Sequence, residues 1–188
     1  ALKQQYLDSP GNYPGKRSKY ISDLSPEIFD LFCDNLFSIY FPNDSSLVYK
    51  VTTNFWKVGT LDPDPLSPKN MGWIHEDNCL LAGVIYLTPG FDSNLGTTIY
   101  DEFEKSDNNI SFKSMKKFYK IGEDDGFDES IIKNNSRFVE TVKVKNVYNR
   151  LISFDGRIYH SPSHYYMGNE TRLAQVFFVK EILSDNET

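Results

Sequence analysis

From residue 26 the apolar positions recur every three or four residues. Ile28, Phe29, Leu31, Phe32, Leu36 and Phe37 recur at helical spacing, which predicts an amphipathic helix over about residues 26–40. Ser25-Pro26-Glu27 opens it, with a serine at the cap, proline at the first helical position and an acid in the first turn. Beyond residue 46 the period shortens to two or disappears. Strands are predicted at Leu47–Thr53, Phe55–Val58, Thr97–Tyr100, Ser136–Lys145, Arg150–Phe154 and Arg172–Ile182. Cys79–Leu87, an almost unbroken apolar run stopped by Thr88-Pro89-Gly90, reads as a buried strand and turn. Leu61–Asn70, with Pro63, Pro65 and Pro68, reads as loop. One leading helix followed by many short strands predicts a mostly β protein, a barrel or double-sheet jelly roll with the helix laid against it.

A chain of 188 residues suits one domain. Within it, residues 1–24 read as a polar extended arm, 25–70 as helix and supporting strands, and 71–182 as the core. Residues 101–135 interrupt that core with nine acids and six lysines. They read as a solvated insertion or as a lid over a site, since long loops in compact domains are often functional.

Composition narrows the classes. With 39% hydrophobic and 15% aromatic residues, the chain can bury a core and is not a disordered tail. A net charge of −6 with no basic cluster argues against nucleic acid as a partner. No run approaches the ~18 apolar residues of a membrane span, and the first residues carry no signal-peptide pattern. Cys33 and Cys79 read as two buried free thiols, which suit a reducing compartment, the cytoplasm.

The candidate chemistry lies in the histidines. Only three occur: His75, which opens His75-Glu76-Asp77, then His160 and His164. In a strand, residues 75 and 77 share a side, so an imidazole and a carboxylate can meet one metal ion while Glu76 turns away. A distal histidine completes a two-histidine, one-carboxylate face of the kind that holds non-haem iron(II). His160, just past a predicted strand, suits that role; His164 competes for it. Arg172 opens the last strand and shares a face with Ala174 and Val176. If Leu173, Gln175 and Phe177 pack outward, Arg172 points into the barrel, and a buried guanidinium asks for an anion opposite it. Tyr86, on the face of Ala82 and Val84, can donate a hydrogen bond to the same anion.

The sequence runs His75-Glu76-Asp77-Asn78, Ile85-Tyr86-Leu87-Thr88, Gly96-Thr97, Asn149-Arg150-Leu151, Phe154-Asp155-Gly156-Arg157-Ile158-Tyr159-His160 and Arg172-Leu173-Ala174. In order and spacing this resembles the iron(II)- and 2-oxoglutarate-dependent dioxygenases, particularly their prolyl-hydroxylase-like branch, over about residues 70–182. The resemblance implies a double-stranded β-helix (jelly roll) core with an N-terminal supporting helix. It implies Fe(II) on His75, Asp77 and His160. The distal carboxylate of 2-oxoglutarate would lie on Arg172, with Tyr86 as helper. The activity implied is oxidation of a substrate C–H bond by O₂, coupled to release of succinate and CO₂. The branch implies a prolyl or other amino-acid substrate, free or within a peptide or protein. Two details bear on this. Many relatives have Ser or Thr two residues after the arginine, where this chain has Ala174, and branches with Ala there use the strand tyrosine. Asp77 argues against the halogenating relatives, which have a small residue at that position.

Two other readings stand beside the oxygenase: a jelly-roll binding module using the same cleft for recognition, and a zinc-dependent hydrolase on the same three ligands. The substrate-facing parts are expected to be Thr60–Met71, 101–135 and Ser161–Thr171, with Trp56, Trp73 and Tyr159 as aromatic walls.

Overall fold

The computed structural model describes residues 6–7, 13–42, 47–103 and 126–183. The amphipathic piece expected around Phe112–Tyr119 lies outside them. The strands are β1 (Tyr6–Leu7), β2 (Lys16–Tyr20), β3 (Val48–Gly59), β4 (Leu81–Tyr86), β5 (Thr97–Glu102), β6 (Phe138–Val144), β7 (Leu151–Asp155), β8 (Tyr159–Pro162) and β9 (Thr171–Leu183). The helices are α1 (Ile21–Leu24), α2 (Pro26–Tyr40) and α3 (Phe127–Asn135). No helix among the described residues is long and apolar enough to cross a membrane.

Two antiparallel sheets carry the fold. The larger has the order β1-β2-β3-β9-β4-β7 and the smaller β6-β5-β8. An isolated bridge from His75 to His160 extends the smaller sheet past β8. From β3 onward the chain therefore crosses between sheets repeatedly: β3, the His75 segment, β4, the β5–β6 hairpin, β7, β8, β9. That wiring makes a jelly-roll-like β sandwich.

Each sheet has an inner and an outer face, set by the two-residue period of a strand. On β9 the odd positions Phe177 and Val179 face outward, where α2 covers them with Cys33, Leu36 and Phe37. The Phe32 ring meets Phe177 edge-on at 5.2 Å, and Phe37 stacks on Tyr49 at 4.4 Å. The even positions Arg172, Val176, Phe178 and Lys180 line a pocket between the sheets. Both cysteines are buried and free.

Four expectations need correction. Leu47–Thr53 and Phe55–Val58 form one strand, because β3 pairs with β9 along its whole length, from Val48 opposite Leu183 to Gly59 opposite Thr171. The Ser25 side chain does not cap α2 but points its hydroxyl to Glu27, 3.4 Å away. Residues 101–135 are not all insertion: Asp101 and Glu102 continue β5, and α3 packs Phe127 and Ile131 on Trp73. Residues 1–24 are not simply an arm, since β2 pairs with β3 and places Arg17 opposite Trp56. Its polar composition hid this, because the residue it sends into the pocket is Arg17 and its buried residue is Ser18, neither of them aliphatic.

Candidate metal centre and its pocket

His75 lies between the two sheets in a single bridge, not in a continuous strand. Its backbone N–H donates to the His160 carbonyl at 3.1 Å, and the His160 N–H returns the bond at 2.9 Å. Asp77 is held separately, its N–H donating to the Gly156 carbonyl at 2.7 Å. The pairing of His75 and Asp77 thus comes from an irregular segment pinned at two points rather than from a regular strand. Glu76 is exposed, as the spacing required. Gly156 permits this approach: a Cβ there would meet the Cys79 carbonyl oxygen at 2.5 Å.

The Nδ1 atoms of both imidazoles face carbonyl oxygens, His75 that of Trp73 at 2.7 Å and His160 that of Ile158 at 2.8 Å. A carbonyl can only accept, so Nδ1 carries a proton in each ring and Nε2 is the atom left to meet a metal or, without one, the carboxylate. The two Nε2 atoms converge on the carboxylate: that of His75 is 4.0 Å from Asp77 Oδ1, and that of His160 is 3.3 Å from Oδ2. One ligand atom from each residue lies within 4.8 Å of the others. Ligand atoms so close share a proton or a metal ion between them. The donor set of two imidazoles and one carboxylate, with each imidazole oriented by a backbone carbonyl, suits a divalent transition metal.

Burial and its neighbours tune these groups. Desolvation, with the neighbouring His160 ring acting in the same direction, pushes the His75 imidazole down to about 4. It is therefore neutral and ready to ligate at ordinary pH. Burial alone would raise the Asp77 carboxyl, but the hydrogen bond from His160 and the charges of His75, His160 and Arg17 outweigh it and hold the group below its usual range. The Phe154 ring, 4.6 Å from that of His160, walls one side.

The pocket, about 390 Å³, runs from this centre between the sheets. Arg172, which also lines it, is 3% exposed. One guanidinium nitrogen donates to the Leu95 carbonyl, the Trp56 ring lies 5.4 Å away, and Nε has no partner. Among the described residues no carboxylate comes within ion-pair distance of it. Burial pushes its pKa down, while Tyr165 and Tyr86 act the other way. The Tyr86 hydroxyl pairs with Thr97 Oγ1 at 2.8 Å, with both side chains lining the same space.

The structure thus gathers His75, Asp77 and His160, and places Arg172 and Tyr86 in the same pocket. His164 is not with them; its Nδ1 accepts from the Tyr166 N–H in a loop. Trp56, Trp73, Ser161, Pro162 and Tyr165 line the pocket. Tyr159 does not, since its ring packs on Phe138 at 4.7 Å and its hydroxyl reaches Glu102. Residues 60–71 contribute none of the lining among the described residues; Tyr13, Pro14, Arg17 and Tyr20 take that place.

Two further groups escaped sequence reasoning. Asn134 and Asn135, at the end of α3, clamp the segment that carries His75. Asn135 accepts from the Ile74 N–H at 3.1 Å and donates to the Gly72 carbonyl at 2.9 Å, while Asn134 donates to the Ile74 carbonyl at 3.0 Å. Adjacent asparagines at a helix end were the available signal. Arg17 is the other, marked only by a cation among alternating polar residues.

A model for a family of unknown function (DUF6445) matches residues 1–165, nearly the whole chain. The chain belongs to that family. No curated protein matches it. Among solved structures, this family member is similar to a chain from a study of prolyl 4-hydroxylases from Phytophthora capsici, at 10% identity and a TM-score of 0.41. The match covers 82% of this chain and 42% of the hydroxylase chain, so less than half of the latter's length is represented. A cupin domain from Bordetella pertussis Tohama I is similar at 6% identity and a TM-score of 0.32, covering 74% of this chain and 98% of that one.

Proposed function

We propose that this protein is an Fe(II)- and 2-oxoglutarate-dependent oxygenase that hydroxylates a C–H bond. The observation that carries the reading is a convergent His75-Asp77-His160 face sharing one pocket with a buried guanidinium that has no acid partner among the described residues. His75 and His160 would hold the metal through Nε2 and Asp77 through its carboxylate. Arg172 would take the distal carboxylate of 2-oxoglutarate; its flat fork matches two carboxylate oxygens, and the anion would offset a charge that is otherwise costly to bury. The Tyr86–Thr97 hydroxyl pair lies beside that position and can turn one O–H toward it. Iron, when bound, supplies the redox chemistry by which O₂ converts 2-oxoglutarate to succinate and CO₂ and R–H to R–OH. The chain's own part is to orient the ligands, exclude water with Trp56, Phe154 and Tyr165, and hold the co-substrate at one end. The substrate in this reading is a prolyl or other amino-acid residue, free or in a peptide.

The test is succinate formation from 2-oxoglutarate by protein loaded with Fe(II). The expected result is oxygen-dependent succinate release, lost in Asp77→Ala and His160→Ala and not supported by zinc. No succinate above the protein-free background would contradict the assignment.

A further inference from the structure

Arg17 is the second pocket-lining arginine, and the 2-oxoglutarate reading leaves it without a task. Pairing of β2 with β3 sets it opposite Trp56, on the inner face of the larger sheet. Gly15, with φ +87°, makes the turn before it; a Cβ there would lie 2.4 Å from the Lys57 carbonyl oxygen. The turn also lets the Pro14 carbonyl accept from the Trp56 indole at 2.7 Å, which fixes the strand entering the pocket.

The guanidinium lies over the Tyr13 ring at 3.4 Å, with Trp56 at 5.9 Å and Phe178 at 5.7 Å. Aromatic contact on its flat faces leaves the N–H groups at its edge for a ligand. Nε is shut off from solvent and has no hydrogen-bond partner. Among the described residues no carboxylate reaches ion-pair distance of Arg17. Arg17 lines the same pocket as His75, Asp77 and His160, and Asp77 acts on its charge.

Charge sharpens the point. The chain has 26 acids against 20 lysines and arginines, yet among the described residues its pocket is lined by Arg17, Arg172 and Lys180 against the single acid Asp77. A divalent metal with Asp77, and a dianionic co-substrate with Arg172, would balance one another. Arg17 at the inner wall and Lys180 at the rim remain uncompensated. Their charge suits a further anion, and a flat, singly charged carboxylate matches the guanidinium edge better than a phosphate, whose second charge would face Asp77.

We infer that Arg17 binds a carboxylate of the molecule that is oxidised, so that the primary substrate is a small carboxylic acid or a chain ending in one. This rests on the oxygenase reading for the tasks of the triad and Arg172. Tyr13, Trp56 and Phe178 would then bracket the substrate's apolar part next to that carboxylate.

The experiment is calorimetric titration, without oxygen, of metal-loaded protein saturated with 2-oxoglutarate. The probes are N-acetyl-L-proline and N-acetyl-L-leucine, each against its carboxamide. The acids are expected to bind at least about tenfold more tightly than the amides. Arg17→Gln should erase that preference and Arg17→Lys restore part of it, while both variants bind 2-oxoglutarate within about twofold of wild type. Retained 2-oxoglutarate binding also shows that the variants fold. The inference is overturned if acid and amide bind alike or neither binds, or if Arg17→Gln keeps the preference. It is also overturned if Arg17→Gln weakens 2-oxoglutarate itself, which would put Arg17 on the co-substrate. Should wild type bind no 2-oxoglutarate, the oxygenase reading fails, and Arg17 is then judged by the same acid-against-amide comparison in metal-free protein.

Discussion

Replacing Arg172 with methionine separates a binding arginine from a structural one. A buried ion costs several kcal/mol in desolvation. In this pocket it is offset by one hydrogen bond, to the Leu95 carbonyl, and one aromatic contact, with Trp56. These contribute roughly 1.5–3 and 1–2 kcal/mol respectively. The sum is close to zero, so Arg172→Met, similar in length and apolar, should leave the ligand-free protein within about 1 kcal/mol of wild type or make it more stable. For a chain of this size that is about 2–4 °C in Tm. Ligand binding should respond very differently. Removing one member of a buried charge pair costs about 3–5 kcal/mol, so 2-oxoglutarate affinity should fall by roughly two to four powers of ten. Arg172→Lys, which keeps the charge and loses the fork, should fall between. Urea unfolding without ligand, alongside calorimetry with 2-oxoglutarate, measures both quantities. A methionine variant that lost 3 kcal/mol or more of stability while still binding 2-oxoglutarate would refute the reasoning and make Arg172 a structural residue.

Three other outcomes are expected. His75 is held at about 4 in the folded metal-free protein, against about 6.5 unfolded. Between these values the unfolded state binds more protons, so stability is full above about pH 6.5 and declines by about 2–3 kcal/mol toward pH 4. His75→Gln should flatten that decline in urea titrations, while any contribution from Asp77 falls below about pH 4. Asn135→Ala strands the Ile74 N–H and the Gly72 carbonyl, both buried, and should cost about 2–4 kcal/mol. Metal titration of that variant should also show affinity reduced roughly tenfold or more; unchanged affinity would mean the clamp does not orient His75. Gly156→Ala drives a methyl into the Cys79 carbonyl and, by displacing the Asp77 anchor, should weaken metal binding more than it lowers Tm.

Alternation told most where the chain is regular. The even positions of β9 face the pocket and its odd positions face α2, and that follows from a period of two in a run of apolar residues with one arginine. The helix over 26–40 was legible for the same reason: a bulky stripe at helical spacing has to cover a sheet. Legibility failed where position depends on pairing between distant segments. Nothing local says that Arg17 lies opposite Trp56, because register is set by the partner strand and by the turn at Gly15. Nor does local pattern say that Asn135 reaches back to Ile74 across the chain, since a polar side chain at a helix end looks solvated until its acceptor is known. The His75–Asp77 pair is an intermediate case. Its residues were recognisable, but the backbone that joins them lies outside any regular strand and is pinned to β8 and Gly156, and periodicity describes only regular strands.

The most direct test of the central claim is calorimetric titration of 2-oxoglutarate into Fe(II)-loaded protein without oxygen, repeated after chelation of the metal and with His160→Ala. The account predicts one-to-one binding that disappears in both controls. Binding that persists without the metal, or none in the loaded wild type, would contradict it.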